Sequence, residues 1–276
     1  LYQTLRHFFV YQHYFYGFPF YFFSALVLLP LRLILGAGWE AYTPVIVMIL
    51  RQMINVLPML AAIWILVWLQ TRFKSTLKSI ALFLFLAAIP GVVENNLWWH
   101  IDSLALLVIA LVFLFLDQDQ LRFGRYFYIA ALICGVGVGI KYMGLFFCLA
   151  IPAYLLYGWI CKKITLSKAA LAAILFLMVM GIGLLVSNPL LLLPMERAEI
   201  IQTQQKQFIQ TGTGYFIAYQ NTFFENGKLP ADVRIHYGAG ILFIAALIVL
   251  IWGILTGKNR LHNTLILTFI VPMAYI

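Results

Sequence analysis

Seven apolar stretches follow one another along this chain, at residues 45–69, 80–93, 103–116, 126–140, 145–160, 169–186 and 238–255, and every second connection between them is basic. Arg72, Lys74 and Lys78 close the first, Arg122 and Arg125 the third, Lys162, Lys163 and Lys168 the fifth, and Lys258 and Arg260 the seventh. A membrane-spanning helix needs about 20 mainly apolar residues. Several of these stretches are shorter, and the aromatic, Asn and Gln residues at their ends extend the length that a membrane can hold. With 64% apolar and only 10% charged residues, against roughly 45–50% and about 25% in soluble domains, the chain lacks the polar side chains to coat a water-facing surface. The expectation is an all-α fold, a polytopic transmembrane helix bundle.

The alternation also sets an orientation. Lys and Arg collect in cytoplasmic loops, so the basic turns are expected inside and Glu94, Asp102, Glu196, Glu199, Glu225 and Asp232 outside. The formal charge of +9 would suggest nucleic acid on a soluble protein; here it is an orientation signal, and no nucleic-acid partner is expected. If residues 45–69 run from outside to inside, the stretch 18–35 before them begins and ends outside. It contains Pro19, Pro30 and Arg32 and is expected to form a re-entrant or interfacial pair of helices. The aromatic run 8–23 fits residues at headgroup level.

The expected organisation is residues 1–44 as outer-face interfacial helices, 45–186 as the transmembrane bundle, 187–236 as an outer loop and 237–276 as further transmembrane helices. Within that loop, residues 195–210 have apolar positions at helical spacing among charges and predict a surface helix, followed by a flexible Thr-Gly-Thr-Gly at 211–214. The start without Met and the end inside the apolar run 264–276 lead to the expectation of an internal portion of a longer protein. Cys134, Cys148 and Cys161 lie in or beside apolar stretches, odd in number, and indicate no disulfide framework. Gly135, Gly137 and Gly139 read as close helix packing by small residues, not as a nucleotide loop.

Charged groups within or beside a membrane domain are costly, roughly 2.5–3.5 kcal/mol at a helix centre, so each needs a reason. In the segment Glu94-Asn-Asn-Leu-Trp-Trp-His100-Ile-Asp102, Asp102 is either an N-cap to the following helix or, with His100 and Glu94, an outward cluster for a divalent metal or a phosphate. His100 and Asp102 come together only if the backbone between them is extended. Lys141, followed by Met143-Gly144, is either a snorkelling lysine or a point charge for a lipid phosphate. Arg51, with Gln52 and Asn55 beside it, asks for an anionic partner. All these groups fall on the expected outer side.

In order, the chain presents Tyr16-Gly-Phe-Pro-Phe-Tyr21, Arg51 opening a helix, a basic turn at 72–78 and an outer segment closing on Asp102-Ser-Leu-Ala-Leu-Leu. A basic turn at 122–125, a helix ending Gly-Val-Gly-Ile-Lys141-Tyr and another ending Ser187-Asn188-Pro189 complete the series. This pattern resembles the GT-C-type membrane glycosyltransferases of the protein O-mannosyltransferase and lipid A aminoarabinose transferase branch. The resemblance implies transfer of a sugar from a polyprenyl-phosphate donor to an acceptor hydroxyl on the outer face of a bacterial inner membrane, the acceptor being a protein or a lipid. It implies a juxtamembrane helix pair in the first outer loop. It places Asp102 at the acidic position of the second outer loop, Lys141 near the donor phosphate and Arg51 at the arginine opening the second helix. Glu94 and His100 would join in substrate binding, and Asp102 and His100 are the pair that could hold a divalent metal. The family's general base, an Asp or Asp-Glu pair in the first outer loop, has no counterpart before Tyr16. Two other classes stand beside this one: a non-catalytic GT-C-like subunit of a larger membrane complex, and a lipid or anion transporter using Arg51 and Lys141 as its path.

Overall fold

The computed structural model describes residues 14, 16–141, 150–213, 240–257 and 259–275. Among them the chain is helical, with no strand. Helices α1 (Phe18–Leu35) and α2 (Thr43–Leu50) are joined by a 3-10 turn at Gly36–Tyr42. A π-turn, Arg51–Val56, carries α2 into α3 (Leu57–Thr71). Then come α4 (Thr76–Ala87), the short α5 (Pro90–Asn95), α6 (Asp102–Asp119) and α7 (Arg125–Ile140). The series closes with α8 (Ala150–Ile160), α9 (Leu166–Ser187), α10 (Pro194–Thr213), α11 (Gly240–Leu255) and α12 (Arg260–Tyr275). Three helical runs, Phe18–Leu35, Thr43–Thr71 and Leu166–Ser187, are long and apolar enough to cross a membrane. Large apolar side chains such as Leu84, Leu177 and Val249 are exposed.

The helix boundaries follow local chemistry. Ser75 caps α4 by accepting the Lys78 N–H at 3.5 Å, and α3 and α6 stop where Arg72 and Gln120 take the left-handed conformation. The π-turn has its cause in Pro58. Proline lacks an N–H and cannot continue the ordinary i→i−4 ladder, and the ladder shifts by one residue just before it, with the Leu57 N–H reaching the Gln52 carbonyl. This wide turn carries Arg51 and Asn55.

Close backbone contact holds the centre together. A Cβ on Gly135 would stand 2.1 Å from the Met180 carbonyl oxygen, and one on Gly183 would stand 2.3 Å from that of Leu132, so α7 and α9 approach through small residues, as membrane helices do. Around them Phe127, Tyr154, Phe176 and Leu116 form the largest buried cluster.

The alternation of turns is realised in space. At one end, Arg72 meets Asp117 at 2.5 Å, the Asn259 amide reaches Gln70 at 2.9 Å, and the Phe123 ring packs on Tyr154 with centroids 5.5 Å apart. These contacts gather the turns between α3 and α4, α6 and α7, α8 and α9, and α11 and α12 into a basic pole. At the other end, the Gly17 N–H donates to the Ile140 carbonyl at 3.1 Å and Asn55 bonds to Asn95; this is the Asp102 pole.

Residues 18–35 depart from expectation. They form one continuous helix through Pro30 rather than a pair of short ones, because Pro30 costs one backbone bond while its fixed φ is itself helical. Both Gly17 and the π-turn lie at the Asp102 pole, so the chain leaves that pole in α1 and returns in α2. Residues 195–210 are helical as expected, and the helix continues through Thr213. Cys134 is buried and Cys161 exposed, neither in a disulfide. Cys148, the Met143-Gly144 break, Gly214, Glu225, Asp232 and Lys258 lie outside the described residues.

Candidate functional site

Asp102 is the first residue of α6, and neither of its oxygens caps the helix. Instead, the His100 ring Nδ1 lies 3.0 Å from Oδ2, and the Lys141 ammonium donates to Oδ1. The capping alternative is therefore not the one adopted. Lys141 reaches its partner because α7 ends just before it: its backbone is extended (φ −145°, ψ 132°) while its N–H still bonds to the Gly137 carbonyl. The side chain thus leaves the helix sideways instead of snorkelling along it. The side chains of Asp102, His100 and Lys141 are 43%, 33% and 31% exposed, so a solute can reach all three.

His100 and Asp102 do not meet across extended backbone. Ile101 between them is in the right-handed helical region (φ −79°, ψ −20°); one such residue, ahead of the helix proper, folds the two side chains toward each other.

The segment bearing His100 is held by neutral polar bonds. Asn55, fully buried on the π-turn, donates to the Asn95 carbonyl at 3.2 Å and accepts the His100 backbone N–H at 3.1 Å. Asn95 donates to the buried Ser103 hydroxyl at 2.7 Å, and the Trp99 indole N–H to Ser24 at 3.2 Å. Aromatic rings flank the trio. Tyr16 meets the His100 ring edge-on with centroids 5.3 Å apart, and Phe20 stacks on Trp99 at 5.0 Å. Polar and aromatic packing on this scale fixes the orientation of a site that charge alone would leave loose.

Burial would raise the Asp102 carboxyl, but the His100 hydrogen bond and the charge and hydrogen bond of Lys141 outweigh it and hold the group at about 2. Burial, with the Asp102 charge added, pushes the neighbouring Tyr16 hydroxyl up. At neutral pH the site is an anion between two nitrogen donors, ringed by aromatics.

Of the residues singled out from sequence, Asp102, His100 and Lys141 come together. Glu94 does not join them: it is exposed on α5 and among the described residues has no ion pair. Arg51 lies one turn before Asn55, and its Nε is shielded from solvent with no hydrogen-bond acceptor among the described residues. As for a metal, His100 and Asp102 offer two ligands while the Lys141 ammonium occupies the other Asp102 oxygen. Among the described residues no third His, Cys, Asp or Glu joins them. Sequence reasoning missed Asn55 as the anchor of His100, although an Asn three residues before Pro58 in an apolar helix was a signal that something binds it.

A second charged cluster sits at the basic pole. Asp117, buried, receives Arg72 at 2.5 Å and has His262 Nε2 3.0 Å from the same oxygen. Burial raises this carboxyl, and the adjacent His262 nitrogen together with the Arg72 hydrogen bond and charge more than reverse it, holding it at about 2. Asp119 accepts the Phe123 and Gly124 N–H groups at 2.8 and 2.9 Å and the Tyr154 hydroxyl at 2.8 Å. Here every acceptor faces inward.

No family model, curated protein or solved structure matches the chain.

Proposed function

We propose that the chain transfers a sugar from a polyprenyl-phosphate-linked donor to an acceptor hydroxyl, its Asp102 pole facing outward from a bacterial inner membrane. The observation that carries this reading is the accessible Asp102 set between the Lys141 ammonium and the His100 imidazole, flanked by aromatic rings, at one end of an apolar helical bundle. Sugar transfer of this kind needs cations where a lipid phosphate departs. Lys141 is one, and Arg51, with a shielded donor that has no acceptor of its own among the described residues, is a second. Lys141 thereby supplies charge that a metal would otherwise bring. The flat faces of Tyr16 and Trp99 suit the apolar side of a sugar ring.

Asp102 is a weak proton acceptor while Lys141 holds it. A phosphate that draws Lys141 away removes the cation that depresses the carboxyl, and the Asp102–His100 pair is then free to take the acceptor's proton. In the resting arrangement Asp102 positions the other two groups.

A second reading, a non-catalytic subunit of a membrane complex, is favoured by one observation: no further carboxylate joins Asp102 and His100 among the described residues. The two are separated by incubating the purified full chain with a radiolabelled polyprenyl-phosphate hexose and a membrane extract that supplies acceptor hydroxyls, and measuring label transferred from the donor together with free polyprenyl phosphate. Catalysis predicts turnover that Asp102→Asn and Lys141→Ala each lower by roughly a hundredfold or more with membrane insertion intact. Turnover retained in both variants removes the site assignment, and no turnover by the native chain supports the subunit reading.

A further inference from the structure

The cations of the basic pole are an unusual surface in one respect: among the described residues no exposed carboxylate is interspersed with them. Lys74, Arg122, Arg125, Lys162, Lys163 and Lys168 are all exposed, and none is paired with a carboxylate among the described residues. The two carboxylates that share the pole are both buried and used up internally, Asp117 by Arg72 and His262, and Asp119 by two backbone N–H groups and the Tyr154 hydroxyl. Water-exposed surfaces ordinarily mix both signs. The turns that carry these charges are drawn together by the contacts through Asp117, Phe123 and Gly158, so the charge is concentrated in space as well as in sequence.

The position of the cations decides their partner. They stand at the ends of helices whose outward faces expose Leu166, Leu171, Ile160 and Leu77, so that apolar surface for acyl chains and positive charge for headgroups adjoin on the same elements. Lysine and arginine stems span that boundary, lying on the apolar face while the charged end reaches polar surroundings.

We propose that the basic pole binds anionic phospholipid headgroups of the leaflet it faces and selects them over zwitterionic ones. Binding is a multivalent contact of phosphodiester and anionic headgroup oxygens with the Lys and Arg side chains of neighbouring turns. It rests on the reading of the chain as membrane-spanning and is independent of sugar transfer at the other pole.

The test reconstitutes the full chain in phosphatidylcholine bilayers that carry trace spin-labelled phosphatidylglycerol or spin-labelled phosphatidylcholine, and compares the protein-restricted fraction of each. The expected result is a preference for phosphatidylglycerol on the order of fivefold at low salt. It collapses toward equality at 1 M salt, where the screening length is about 3 Å, and in the variant Arg122→Gln, Arg125→Gln, Lys162→Gln, Lys163→Gln. Equal restriction of the two lipids at low salt, or a preference indifferent to salt, overturns the proposal. The salt titration uses the native chain and decides the matter even where the fourfold variant fails to fold. A chain that enters neither bilayer overturns the membrane reading and this inference with it.

Discussion

Asp102 and Asp117 stand at opposite ends of α6, each with a cation and a histidine on its carboxylate and each held at about 2, yet one is open and the other closed. Asp117 is 5% exposed at its side chain, and Asp102 is 43%. The partners of Asp117 come from α12 and from the residue that ends α3, so its ion pairs tie helices together. The partners of Asp102 come from the segment just before α6 and the end of α7, and α6 and α7 are already in close contact where a Cβ on Gly137 would stand 2.9 Å from Val108. The same chemical triad therefore fastens the bundle at one pole and at the other remains accessible to a ligand. A depressed carboxyl alone does not separate structure from function; what surrounds its partners does.

The largest expected effect lies at the closed end. Asp117→Asn removes the buried carboxylate that joins Arg72 to α12 and should cost about 1.5–3 kcal/mol, read as a lowered unfolding midpoint in detergent, with donor turnover per folded molecule unchanged. Next, Gly135→Val forces a side chain into the Met180 backbone. Overpacking of this kind costs about 1–3 kcal/mol and should part α7 from α9, which a cysteine cross-link between the two helices would detect as a lost or slowed bridge. Asn55→Ala removes two bonds to the His100 segment and leaves the part-buried His100 N–H without its acceptor, about 1 kcal/mol; because it loosens His100, it should lower turnover more than its stability loss explains.

Asp102→Asn sits at the bottom of the stability scale, under about 1 kcal/mol, because exposed ion pairs contribute little. The pH profile sharpens the contrast. Both carboxyls are depressed in the folded chain, so the stability they contribute is fully present above the unfolded value of about 3.9 and is lost as pH falls toward 2. The slope of stability between about pH 4 and pH 2 should shrink markedly in Asp117→Asn and little in Asp102→Asn, since solvent screens the exposed site.

Much of this was legible in the sequence because long apolar helices advertise themselves. The apolar runs, the basic turns and the Gly135-Val-Gly-Val-Gly139 packing face each carry a local signal, and the poles in space follow from their alternation. The Asp102 and Lys141 positions stood out because charge beside an apolar run is costly. What stayed hidden depends on pairings between distant segments. Asp117 read as one acid in a basic turn, since nothing in a single sequence joins it to His262. Asn55 read as a neighbour of Arg51, while the π-turn ahead of Pro58 aims it at the segment before Asp102. Phe18–Leu35 read as broken at its prolines, because hydropathy does not record that a helix tolerates one lost bond when a neighbour, here α2, packs beside it.

The most direct test of the contrast between the poles measures donor turnover and the unfolding midpoint side by side in Asp102→Asn and Asp117→Asn. The account predicts a crossed result, with turnover abolished and the midpoint nearly unchanged in Asp102→Asn, and the midpoint lowered with turnover per folded molecule retained in Asp117→Asn. Full turnover in Asp102→Asn, or a fall in midpoint as large as that of Asp117→Asn, would contradict it.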